Sequence, residues 1–143
     1  MLITNHVLAG ALIADRCRSA PAAFLLGLAS HLAMDSLPHW GVRDDAVYLK
    51  VARADGLVGL GVAAVVIAGT PADRRRIAVA GIAGACTPDS EQVSVHFFGT
   101  GFQPVWFDRL HAKIQREHGW LGQEVLVGLG LATLWLALHR RRA

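Results

Sequence analysis

The chain has two cysteines in 143 residues, Cys17 and Cys86, and no Cys-x-x-Cys pair. That count points to neither a thiolate zinc site nor a disulfide framework, and both read as small buried hydrophobes. Charge is scarce too, at 17% of residues, and no low-complexity tail or linker breaks the apolar stretches. Disorder is therefore not expected. No basic segment precedes the first apolar run, and Asn5-His6 and Asp15-Arg16 interrupt it. A signal peptide is not built that way. No alternating polar and apolar stretch suggests a strand, and no repeat recurs at a fixed period. Phosphate loops, dinucleotide glycine fingerprints and the Gly-x-Ser-x-Gly elbow of serine hydrolases are all missing. Eight of the twelve arginines fall in three short clusters, Arg16 with Arg18, Arg74 to Arg76 and Arg140 to Arg142, with no aromatics interleaved. No nucleic-acid partner is expected from them.

What is present is apolar helix. The chain is 53% hydrophobic with a mean hydropathy of +0.39, greasier than an ordinary soluble domain. Its length suits one domain over residues 1–143. The periodicity predicts an all-α fold, an antiparallel bundle of about five to six helices. The first covers about 4–16, with Thr4 or Asn5 as N-cap, and the second 21–38, opened by Pro21. A third, capped by Asp44 or Asp45, runs to Gly69, and a fourth follows the turn 70–73 to about Cys86. After a loop at 99–104, an amphipathic helix covers about 105–117 and a last apolar one 120–139. A membrane-spanning helix needs about 20 apolar residues. The segments 120–138 and 20–37 approach that length, so a membrane-embedded bundle is expected over a soluble one.

Short connections sort the charges on such a bundle. All three arginine clusters fall at one end, while nine of the eleven acids (all but Asp15 and Asp73) and six of the seven histidines (all but His139) fall at the other. The positive-inside rule of membrane bundles explains the arginines. A site explains the acids and histidines.

Within that polar end, His31 and Asp35 stand four residues apart on one helix face. An imidazole and a carboxylate so stacked can grip one divalent ion, and an uncompensated Asp35 in so apolar a helix would be costly to bury. His39, past Pro38, is off the helix line and either swings toward the same site or caps the turn with Trp40. His6 and Asp89 gain weight from their bundle end, although Asp89 also suits an N-cap. Asp55 is a ligand or base from the third helix, or half of a local ion pair. Gly56 beside it would admit a close neighbour. Glu91 is a second carboxylate able to take a proton. His111, Gln115 and His118 share one face of the amphipathic helix, which would offer His111 as a ligand. Trp106 and Phe107 suit a membrane interface.

Thr4-Asn5-His6 leading into an Ala/Gly helix, His31-x-x-x-Asp35 and the Pro88-Asp89 turn resemble the bacterial membrane-bound, predicted metal-dependent hydrolases. That family is more distantly similar to zinc-dependent phospholipase C and the single-strand-specific zinc nucleases. The segment Asp108 to Gln115 looks like its later histidine helix. The resemblance implies an all-helical fold in the bacterial inner membrane, with a metal held by His6, His31, Asp35, Asp89 and His111. Two positions depart from the family pattern. The double-aspartate turn reads Pro88-Asp89-Ser90-Glu91, and His111 stands between Leu110 and Ala112 rather than in a His-Arg…Thr-His pair.

The expected function is a metal-dependent hydrolase of an ester or phosphoester. The cofactor is a divalent metal, zinc by donor type, with Asp55 or Glu91 as base. Membrane lipid is the surrounding partner, and the substrate is a small or lipid-like molecule. The alternative is a non-catalytic helical membrane protein whose histidine or metal site is structural or sensing. A soluble helical hydrolase is a third reading.

Overall fold

Two polar side chains start helices where the sequence places them. Ser19 accepts a hydrogen bond from the Ala22 amide and opens α2 (Ala20–Asp35), with Pro21 in its first turn. Asp44 accepts from Ala46 and Val47 and opens α3 (Asp45–Gly69). Each satisfies amides that lack a partner in the first turn. In the computed structural model, which describes residues 1–140, the remaining elements are α1 (Ile3–Ala14), β1 (Pro38–Trp40), α4 (Arg75–Cys86), α5 (Ser90–Phe98), α6 (Val105–Ile114), β2 (Arg116–Gly119) and α7 (Leu121–Arg140).

The all-helical expectation holds in outline, with seven helices rather than five to six among the described residues. The addition is α5, whose nine residues are too few for a clear period. Thr4 and Asn5 are not caps but lie inside α1, which starts at Ile3 behind Leu2 and ends before Arg16. The amphipathic helix stops at Ile114, so His118 does not share a helical face with His111. Residues 116–119 instead pair in parallel with β1, joining His39 to Glu117. This short ladder is a strand pair that periodicity did not reveal.

Small residues set the packing around α4. A Cβ on Gly81 would stand 2.5 Å from the Gly10 carbonyl oxygen, and one on Gly27 or Gly84 would collide with the carbonyls of Gly81 or Phe24. α4 is thus pressed against both α1 and α2 at backbone contact, as small-residue helix seams allow. The contacts also fix direction. Gly10 meets Ala85 while Ala14 meets Gly81, so α1 and α4 run oppositely. Arg74, before α4, reaches the Cys17 carbonyl, before α2, while His31 near the end of α2 reaches Ala85 near the end of α4, so α2 and α4 run together. At one end Arg74 donates to the carbonyls of Ala14, Asp15 and Cys17. The histidines of α1 and α2 gather at the other. The third arginine cluster lies largely outside the described residues, as Arg141 and Arg142 do.

Val7, Ala11, Val66, Ile82 and Trp135 form the main core, joining α1 and α4 to α3 and α7. Those two outer helices are long and apolar enough to cross a membrane, and only 11% of each apolar stretch is buried. Leu57 and Leu60 on α3 and Leu126 and Leu129 on α7 stand 60–73% exposed. α1 and α2 are apolar but shorter.

Candidate metal centre

Three parts of the fold bring four donors together. The last turns of α2 supply His31 and Asp35, both fully buried. α6 supplies His111, the one buried residue of that helix. Asp89 comes from the turn between α4 and α5. It holds the N-cap position of α5 without making a side-chain cap bond, and its Oδ1 lies 3.6 Å from His31 Nε2 and 3.7 Å from His111 Nε2. The capping role that Pro-Asp-Ser suggests is therefore not what its carboxylate does.

Three further separations are shorter. His31 Nε2 and His111 Nε2 are 3.0 Å apart, and each lies 3.1 Å from Asp35 Oδ2. Zinc–nitrogen bonds of about 2.0–2.1 Å in a tetrahedron put neighbouring donors about 3.3 Å apart. Five of the six edges, 3.0 to 3.7 Å, bracket that value, and the sixth, between Asp35 and Asp89, lies within 4.8 Å. These four donor atoms lie within 4.8 Å of one another and can hold a metal ion.

Backbone packing orients the set. His31 Nδ1 donates to the Ala85 carbonyl at 2.7 Å, a contact that exists because Gly27, Gly81 and Gly84 let α4 lie against α2. With its proton spent there, a neutral His31 presents a lone pair at Nε2, the arrangement common in metal-ligating histidines. The Gln115 amide donates to His111 Nε2 at 3.4 Å. Burial alone would raise the Asp35 pKa, but its close polar contacts with His111, His31 and His6, with the charge of the N-terminal amine, hold it well below the ordinary carboxylate range. Asp35 is therefore an anion ringed by imidazoles. The Cys86 thiol goes the other way, pushed up to about 12 by burial and by Asp89 and Asp55.

His6 borders the cluster without joining the four. Its ring stacks on His31 at 3.8 Å, and its Nε2 lies 3.2 Å from the other Asp35 oxygen, Oδ1. Burial lowers its pKa, against the opposing pull of Asp35. His39, on β1, is buried with Nε2 4.0 Å from the same oxygen. The Met1 amino group is 2.9 Å from it.

The two acids expected as bases sit elsewhere. Asp55 accepts from the Thr4 hydroxyl at 2.6 Å and from the amides of Ile3 and Thr4, so it caps the start of α1. Gly56 faces open space, and the close approach comes at Gly59, against Ile3 and Thr4. Glu91 accepts from the amides of Phe102 and Gln103 and holds the 99–104 loop. Glu124 is the residue that sequence reasoning passed over. Buried at the start of α7, it accepts from Leu2, Asn5 and Trp40, tying α1, β1 and α7 together beside the cluster. An acid one turn inside an apolar helix was the available signal.

No family model, no curated protein and no solved structure matches this chain. What the site does must be argued from its own donors.

Proposed function

We propose that this protein is a membrane-embedded metal-dependent hydrolase. His31, Asp35, Asp89 and His111 hold one divalent ion, zinc by the mix of imidazole and carboxylate. The observation that carries the reading is the spacing of the four donors, together with the Ala85 bond that turns the His31 lone pair inward. When bound, such an ion polarises an ester or phosphoester oxygen and brings the pKa of a water toward about 7.

The chain's own residues then divide the work. His31, Asp35 and His111 are buried and fix position. Asp89, at 22% exposure, is the member that meets solvent. Its Oδ1 faces the imidazoles, which leaves Oδ2 to take a proton from incoming water. The exposed apolar faces of α3 and α7 favour a bilayer around the molecule and an amphipathic, lipid-like substrate. These residues also fit the resemblance to the membrane-bound metal-dependent hydrolases.

The test is elemental analysis of detergent-purified protein prepared without chelators, with hydrolysis of a chromogenic phosphoester and of phospholipid followed alongside. Wild type should carry zinc and hydrolyse one of the two substrates, and His31→Ala and Asp35→Ala should each carry less zinc and lose hydrolysis. Absence of metal from wild type, or full metal content in Asp35→Ala, overturns the reading. One observation favours a second reading, a structural or sensing metal site. Asp55 and Glu91 are both engaged in holding backbone. Zinc binding that sets thermal stability, with no hydrolysis, would support it.

A further inference from the structure

Asp35 has two oxygens, and the four-donor centre uses one. Oδ2 faces His31 and His111 at 3.1 Å each. Oδ1 faces the opposite way, toward His6 Nε2 at 3.2 Å and His39 Nε2 at 4.0 Å. Both imidazoles are at most 1% exposed. Neither Nε2 has a hydrogen-bond partner, and His6 lacks one at Nδ1 as well. The His6 contact with Asp35 is close but not aligned as a hydrogen bond.

Buried imidazole nitrogens are normally satisfied, and two unsatisfied ones beside a single carboxylate oxygen call for a ligand. His39 is prepared for that role. Its Nδ1 is 3.1 Å from the Trp40 carbonyl; donating there leaves a neutral ring with its lone pair at Nε2, as in His31. His6 lies parallel to His31, 19° between planes, so its Nε2 stands beside Oδ1 much as that of His31 stands beside Oδ2. The cationic Met1 amine touches Oδ1, so this oxygen already draws positive charge.

We infer that His6, His39 and Asp35 Oδ1 form a second divalent-metal position, with Asp35 bridging it to the centre of His31, Asp89 and His111. Three protein donors leave room for water, as open zinc sites do. The inference rests on the proposed metal centre but can fail independently of it.

The experiment is zinc titration of the full-length, detergent-purified chain, followed by removal of free metal and determination of zinc per chain. Wild type should retain two equivalents. His39→Ala and His6→Ala should each retain one, His111→Ala should retain the other, and Asp35→Asn should retain neither. If one variant fails to keep its helical circular dichroism, His39→Gln gives the same reading with a smaller change in volume. One equivalent in wild type, lost on changing His111 but not His39, overturns the second position and leaves the first intact. Two equivalents surviving in His39→Ala also overturn it. No zinc in wild type overturns both.

Discussion

A neutral imidazole has one proton and one lone pair, so whatever engages one nitrogen decides what the other can offer. Here the Ala85 carbonyl makes that decision for His31. The same logic sets how acid acts on the metal-free protein. Burial, opposed by Asp35, depresses the His6 pKa. Burial opposes, and the surrounding imidazoles overcome it, in depressing that of Asp35. In both cases the unfolded chain binds more protons than the folded one as pH falls, so stability rises with pH. The loss on acidification begins near the unfolded values of about 6.5 for histidine and about 3.9 for aspartate. With chelator present, the thermal midpoint should fall from about pH 7 to pH 5 and again below about pH 4, and His6→Gln should remove the first step. A midpoint that rises on acidification would contradict this account. Of these residues, His31 and Asp35 were legible because helical spacing is local. Asp89 was ambiguous, since the same residue suits a cap. The approach of His6 and His39 to the second Asp35 oxygen depends on how α1 and β1 are placed, which no local pattern encodes.

At the scale of elements, the seam around α4 controls the site from a distance. Gly81 touches Gly10 and receives the approach of Gly27, and Ala85, one turn on, holds His31. A Gly81→Val substitution must push α4 away from α1 and α2, an overpacking that costs about 1–3 kcal/mol. It should also withdraw the Ala85 carbonyl and weaken zinc binding by about 10–100-fold, the usual effect of losing a partner behind a ligand. Gly56→Ala is the contrast. Its Cβ would meet nothing within 4 Å, so it should keep zinc affinity and gain up to about 1 kcal/mol in helix propensity. Thermal melts and zinc titration of the two variants check both statements, and equal affinities would sink the seam argument. The sequence made α2 and α3 readable through Pro21 and Asp44, a first-turn residue and a cap acting within their own turns, while the Ser19 cap emerged only in the structure. It hid the β1–β2 pair, because hydrogen bonds between Pro38–Trp40 and Arg116–Gly119 join segments far apart in the chain. That pair also ends α6 early and detaches His118 from His111.

For the whole molecule, the proposed bilayer raises the question of which way a two-ended protein would sit in it. The contacts place Arg74 against the end of α1, near Asp15 and His139, and the metal centre at the opposite ends of α1 and α2. Arginine-rich ends stay cytoplasmic, so the proposed site faces the other side. Trp106, Leu110 and Val105 are exposed on α6 while His111 on its inner face is buried. Arg109 and Lys113 flank those apolar residues, the composition of an amphipathic helix lying at a membrane surface. Orientation can be read with two introduced thiols, because the native ones are silent. Cys17 is buried and the Cys86 thiol is pushed up to about 12. Thr100, in the loop beside α6, and Asp73, in the turn before α4, are both exposed. In spheroplasts of an expressing bacterial host, a membrane-impermeant maleimide should label Thr100→Cys and spare Asp73→Cys until the membrane is opened. The reverse pattern would place the site on the cytoplasmic face. Labelling of both in intact spheroplasts, with release of the protein by alkaline carbonate, would remove the bilayer from the account and leave the exposed faces of α3 and α7 to be covered by protein.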